Sequence, residues 1–108
     1  MLAEIEAVAR AGIPTSCCAV SWAEIFAGMR RGEETAAEAF FAGRTGVVLD
    51  ASMGRRAGMY LARYGRSHGL GIADALTAAA ASITGLHLWT LNRRDYPMED
   101  VRFYEGNV

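Results

Sequence analysis

Two aspartates bracket a helix-and-strand unit in the stretch Gly71–Pro97, GIADALTAAAASITGLHLWTLNRRDYP. Asp74 stands at the start of an alanine-rich segment with helical composition. Asp95 follows an apolar run and lies in the loop Asn92-Arg93-Arg94-Asp95-Tyr96-Pro97. A strand that runs back beside the helix start would turn both carboxylates toward one pocket. Paired carboxylates are how proteins hold divalent cations for phosphodiester chemistry. A third acid, Glu24, lies in VSWAEIFAG. Each acid also has a plainer role. Ser21-x-x-Glu24 matches a capping box, Asp74 suits a helix N-cap, and Asp95 before Tyr96-Pro97 can shape a turn. As a cluster they point elsewhere. Carboxylates about 4 Å apart repel by roughly 4 kcal/mol at an effective dielectric near 20. A bound cation removes that penalty, so a true cluster implies Mg²⁺ or Mn²⁺, both oxygen-seeking ions. Arg93 and Arg94 adjoin Asp95 and could hold phosphate, while Thr90 and Asn92 could orient an acid or a water.

Other chemistries find little support. His68 and His87 are the only histidines, and neither stands in a nucleophile motif. Cys17 and Cys18 are adjacent, which strains a mutual disulfide and gives no metal-type spacing. They read as small buried strand residues of a reduced, cytoplasmic protein. The glycines form neither a dinucleotide fingerprint nor a P-loop. A formal net charge of -1 excludes a strongly basic nucleic-acid binder on bulk charge. The distribution is more telling, because all 11 basic residues are arginine. Eight of them pair, as Arg30-Arg31, Arg55-Arg56, Arg63 with Arg66, and Arg93-Arg94. Such pairs suit phosphate contact, or simply solvated helix faces. No apolar run reaches the roughly 18 residues of a membrane span, and no basic-then-apolar leader is expected.

The elements that must position these residues follow from patterning. A chain of 108 residues, 52% apolar, argues for a single domain over 1–108 with a real core. Leu2, Ile5 and Val8 have helical spacing before Gly12 and Pro14. Thr15 to Val20 suits a buried strand. Ser21 is expected to open a helix whose face is Trp22, Ile25, Phe26 and Met29. Glu33 to Ala42 forms another helix, anchored by Phe40 and Phe41. Val47-Val48-Leu49 reads as a strand. Asp50 or Ser52 caps a helix through Ser67, with Met53, Ala57, Tyr60, Leu61 and Tyr64 inward. Asp74 is expected to start the helix that Gly85 stops, before strands over Leu86–Leu91 and Val101–Tyr104. Short apolar strands separated by helices predict a parallel sheet covered on both faces. In such folds ligands bind at the carboxyl ends of the strands, beside Glu24 and Asp95.

At this point three segments resemble the PIN domain, and within it the small VapC-type toxins. SWAEIFAGMRRG is similar to the E-[LI]-x-x-G part of the family's S-x-x-x-x-E-[LI]-x-x-G block, with Glu24 on its acid and Gly28 on its glycine. GIADALTAAAA looks like D-A-L-I-A-A-T-A, placing the next acid on Asp74. LWTLNRRDYP resembles L-V-T-x-N-x-[KR]-D-F, placing Thr90, Asn92 and Asp95 on functional positions, and VRFYE looks like the last strand. The family opens with a strand ending in Asp. No such segment precedes Glu24, so the chain is expected to be a PIN-like domain without its N-terminal strand and first ligand.

The resemblance implies an α/β fold of three layers, α/β/α, around a mostly parallel sheet. It implies a Mg²⁺- or Mn²⁺-dependent ribonuclease, the toxin of a type II toxin–antitoxin pair. Glu24, Asp74 and Asp95 would bind metal, Thr90 and Asn92 would orient the ligands, and Arg93 and Arg94 would hold RNA. RNA, a cognate antitoxin and a second copy in a homodimer are the implied partners. The alternative is a catalytically inactive PIN-like interaction module, with Trp22, Phe26, Phe40 and Phe41 as contacts.

Overall fold

The structure is a computed structural model and describes residues 16–42, 45–88 and 93–104. The helix expected over 2–11, and with it the opening of the domain, lies outside the described residues. The described residues divide into two compact units, one ending at Val48 and the other beginning at Leu49.

The first unit runs β1 (Ser16–Cys18), α1 (Ala19–Gly28), α2 (Glu34–Ala42) and β2 (Thr45–Val47). The strands pair in parallel, Ser16 against Thr45, Cys17 against Gly46 and Cys18 against Val47. A parallel pair needs a crossover, and the two helices supply it. Between them, Gly32 adopts φ +92°, a conformation that disfavours a side chain. The turn is held by the Arg30 amide donating to Glu33 Oε1 at 2.6 Å and the Gly32 amide donating to Glu34 Oε2 at 2.9 Å. Ile25, Ala37, Phe40 and Phe41 form the buried core, with Trp22, Phe26 and Met29 packed on it. Phe41 is central: it stacks on Trp22 at 4.2 Å and on Phe26 at 5.9 Å, and meets the edge of Phe40 at 5.2 Å. Offset and edge arrangements suit ring quadrupoles. Phe40 and Phe41 are therefore internal packing, which corrects their assignment as partner contacts.

Two boundaries differ from expectation. The helix α1 starts at Ala19, not Ser21, so Ser21 is already helical and no capping box forms around Glu24. Strand β1 is correspondingly short, because only three residues find partners on β2. The second strand is Thr45–Val47 rather than Val47–Leu49, leaving Val48 highly exposed beyond it.

The second unit is built on two helices, α3 (Ala51–His68) and α4 (Ile72–Thr84), which pack along each other. Asp50 is extended and caps α3, its Oδ1 accepting from the Met53 amide at 3.0 Å and the Ser52 hydroxyl at 2.6 Å. Those bonds, the Ser52 hydroxyl first, hold its carboxyl below the usual carboxylate range. Gly69 (φ +62°) and Gly85 (φ +75°) end α3 and α4 in the left-handed region that favours glycine. Met53, Ala57 and Tyr60 of α3 face inward with Ala75, Ala78, Ala79 and Ala80 of α4, and Leu70, Met98 and Val101 are buried as well.

Helix α4 begins two residues before Asp74. Gly71 occupies the N-cap and its carbonyl accepts from Ala75 at 3.0 Å. Asp74 is thus a first-turn residue, not the cap. Of the two expected final strands, the described portion is one parallel bridge between Leu88 and Phe103. The Leu88 amide donates to Arg102 at 2.7 Å, and the Tyr104 amide donates to Leu88 at 2.8 Å. A single 3-10 turn, Arg93–Asp95, lies between these segments.

Candidate functional site

The first turn of α4 places Asp74 where the helix dipole favours negative charge. Its side chain is half-buried. The Tyr96 hydroxyl donates to Asp74 Oδ1 at 3.1 Å, joining the Asn-Arg-Arg-Asp-Tyr-Pro loop to the helix start. The second carboxylate oxygen accepts no hydrogen bond among the described residues. Tyr96 was not singled out as functional from sequence. Its partner lies 22 residues away, beyond the reach of local spacing.

Tyr96 is itself held. Its amide donates to the Arg93 carbonyl at 3.0 Å, closing the 3-10 turn, and its ring meets the Phe103 ring edge-on at 6.5 Å. Arg93 stacks its guanidinium 5.1 Å above Phe103 and donates from Nη2 to the Tyr104 carbonyl at 3.0 Å. Asp95 and Arg94 are exposed in the same turn. The structure therefore brings the segment carrying Asp95 onto Asp74 through Tyr96. Glu24 is an exposed residue of α1 in the other unit, with no hydrogen bond or ion pair among the described residues. Thr90 and Asn92 lie outside the described residues. Among the described residues, no group of three or more His, Cys, Asp or Glu side chains could hold a metal ion.

A second carboxylate centre had no signature in the sequence. Asp100 Oδ2 accepts from the Tyr60 hydroxyl at 2.8 Å, the Ser82 hydroxyl at 2.9 Å and Arg56 Nη1 at 3.4 Å. Arg56 also donates to Ser82 Oγ at 2.7 Å. Partial burial pushes the Asp100 carboxyl up. Hydrogen bonds from Tyr60 and Ser82, with the charge of Arg56, outweigh that effect and hold it below the usual carboxylate range. Burial, with Asp100 alongside, pushes the Tyr60 phenol up. This network ties α3, α4 and the turn at Asp100 together. It contains no histidine or cysteine, and its one serine is engaged with Arg56 and Asp100, so it offers no activated nucleophile. Elsewhere on α3, Arg63 stacks 5.3 Å above the Tyr64 ring, and His68 meets Tyr64 edge-on at 5.7 Å.

Among the described residues, no helix is long and apolar enough to cross a membrane. No protein-family model matches the chain. Individual relatives do. The chain is 37% identical over 91 residues to Ribonuclease VapC10 of Mycobacterium tuberculosis, an alignment covering 83% of this chain and 68% of that protein. It is also 37% identical over 76 residues to Ribonuclease VapC19 of the same organism, covering 69% of this chain and 61% of the relative. Identity of that level over most of the chain, together with the α/β elements and the Asp74 segment, establishes that the chain belongs to the VapC-type family of PIN-domain ribonucleases.

Proposed function

We propose that the chain is a Mg²⁺- or Mn²⁺-dependent ribonuclease, the toxin component of a type II toxin–antitoxin pair. The observation that carries this reading, beside the VapC relatives, is the hydrogen bond from Tyr96 to Asp74. It couples the loop of Asp95 and Arg94 to a helix N-terminus, where anions are stabilised. Carboxylates are the donor type that a hard divalent ion takes. Among the described residues, one Asp74 carboxylate oxygen accepts no hydrogen bond, and Asp95 and Glu24 are exposed carboxylates. Glu24, Asp74 and Asp95 would hold the ion. Such an ion activates water and offsets the charge that develops on a scissile phosphate.

The chain's own residues supply binding and orientation. Arg94 is an exposed guanidinium beside Asp95, suited to bidentate phosphate contact. Arg93 would share that role while stacking on Phe103. Thr90 and Asn92 would orient the acids. The substrate is RNA, the cognate antitoxin would cover the site, and the protein would act as a cytoplasmic homodimer. Residues 1–108 form one PIN-like domain in this reading. Its fold would be the family's three α/β/α layers around a mostly parallel sheet; each unit by itself holds one parallel pairing, β1 with β2 and Leu88 with Phe103.

A second reading is a catalytically inactive PIN-like module. It is favoured by the lack of any metal-binding group of three among the described residues. RNA cleavage with Mn²⁺ separates the two. Wild type should cleave, while Glu24→Gln and Asp74→Asn should lose activity. Equal rates in all three proteins would sink the metal mechanism.

A further inference from the structure

We propose that the outer face of α3, carried by Arg55, Arg63 and Arg66, is a contact surface for the phosphodiester backbone of single-stranded RNA, separate from the segment of Asp74 and Asp95. This rests on RNA being the substrate, as proposed above, and assigns residues that set affinity rather than cleavage.

Helix α3 holds four arginines and no acid, in a chain whose formal net charge is -1. The four are not alike. Arg56 turns to Ser82 and Asp100 and is neutralised there. Arg55, Arg63 and Arg66 are exposed and make no hydrogen bond or ion pair among the described residues. Asp50 lies within electrostatic reach of Arg55, but its carboxylate already accepts from Ser52 and the Met53 amide. Arg63 rests 5.3 Å over the Tyr64 ring, which positions the guanidinium without removing its charge. The negative end of the helix favours Arg66, yet it does nothing for Arg55 near the opposite end.

Arg55, Met59, Arg63 and Arg66 recur at i, i+4, i+8 and i+11. On an α-helix they fall within an arc of about 80°, and the axis rises about 17 Å from Arg55 to Arg66. Like charges one turn apart repel, and a solvated face relieves this by interleaving acids at that spacing. Here none is interleaved, and Met59 stands uncovered in the stripe, 69% exposed. Methionine adapts to varied apolar surfaces and suits the face of a base. Beside the stripe, a side chain at Gly54 or Gly58 would meet nothing within 4 Å. Packing therefore does not demand glycine there, although glycine weakens a helix interior. Its low profile lets a strand come close to the helix.

Guanidinium forks without a carboxylate match phosphate, which arginine binds with two parallel bonds. A second copy docked by two-fold symmetry on this face would set arginine against arginine. Arg30 and Arg31 are also exposed, but Glu33 and Glu34 adjoin them in sequence and balance their charge.

The test is binding of a labelled single-stranded RNA to the full chain with EDTA present, across a series of salt concentrations. The triple variant Arg55→Gln, Arg63→Gln, Arg66→Gln is expected to bind on the order of tenfold more weakly or worse, alike for unrelated RNA sequences. Its slope of log affinity against log salt should shrink by about 2, at roughly 0.7 per phosphate contact. Arg55→Gln alone should remove about 0.7 of slope, so the test does not hinge on the folding of the triple variant. The double variant Arg30→Gln, Arg31→Gln should keep the wild-type affinity and slope. Wild-type slopes in the triple variant or in Arg55→Gln would overturn the surface and leave RNA as substrate. An equal loss in the Arg30, Arg31 variant would reduce the effect to net charge and overturn it as well. Polyglutamate displacing the label as well as unlabelled RNA does, or a changed oligomeric state of the triple variant in sedimentation, would give the face to a protein partner instead. No RNA binding by wild type would overturn the surface and the substrate reading together.

Discussion

Two aspartates of the second unit are held in opposite ways. Asp100 gathers three donors, Tyr60, Ser82 and Arg56, on a single oxygen. Asp74 takes one phenol on one oxygen, at the start of a helix. The first arrangement satisfies side chains of two helices and ties them to a turn. The second orients a carboxylate and leaves it able to accept more. Residue type does not distinguish them, and neither does exposure alone, since Asp100 is the more exposed of the two. The number and source of the donors do. Where a carboxylate is surrounded by the protein's own donors, its charge is spent on the fold; where it is merely oriented, it remains available to a ligand.

That contrast can be broken most sharply at Asp74. Asp74→Asn keeps the shape and the bond from Tyr96 but removes the charge. We expect Mn²⁺-dependent RNA cleavage to fall on the order of a hundredfold or more, while the melting temperature stays close to wild type. Comparable activity would place Asp74 with Asp100 among structural residues. Asp100→Ala should give the reverse pattern: unfolding by denaturant should show a loss of about 1 kcal/mol, kept modest by solvent screening, with Mn²⁺ affinity unchanged. An altered Mn²⁺ affinity would dissolve the distinction between the two carboxylates.

The turn joining the helices should affect both residues alike. Gly69 has φ +62°, so Gly69→Ala forces a side chain into the left-handed region. It should cost about 1 kcal/mol in denaturant unfolding. The smallest expected effect is on pH dependence. The Asp100 carboxyl is depressed in the folded protein, so its ionised form favours folding. Its contribution is present above the unfolded carboxylate pKa, about 3.9, and is lost as pH falls through the lower folded value. Melting curves taken from pH 5 downward should therefore lose less stability in Asp100→Asn than in wild type. Identical acid limbs would remove Asp100 from the account.

Much of this architecture was readable where the cause was local. Asp50 and Gly85 were legible as helix boundaries because a cap or a left-handed residue acts within a few positions. The buried faces around Phe41 and Met53 followed from helical spacing. The same local logic misplaced two helix starts. Ser21 and Asp74 have the side chains of caps, yet α1 begins at Ala19 and Gly71 caps α4. A good cap residue is also tolerated in a first turn, where an acid meets the dipole favourably. The carboxylate partners were not legible at all. The bond from Tyr96 to Asp74 spans 22 residues, and the bonds to Asp100 span 18 to 44. Such contacts depend on how helices and loops return to one another, which no short motif records.

The alanines of α4 have a consequence for how this protein can vary. Ala75, Ala78 and Ala79 have no exposed surface. At each of them every replacement except glycine adds atoms, and a packed interior resists added volume. A saturation library should therefore be nearly empty along this stripe, although alanine is among the most easily exchanged residues on a surface. Because Asp74 directly precedes Ala75, a change that pushes α4 outward would also carry the carboxylate away from Tyr96. Drift in a residue with almost no chemistry of its own could thus silence the site without altering any of its members.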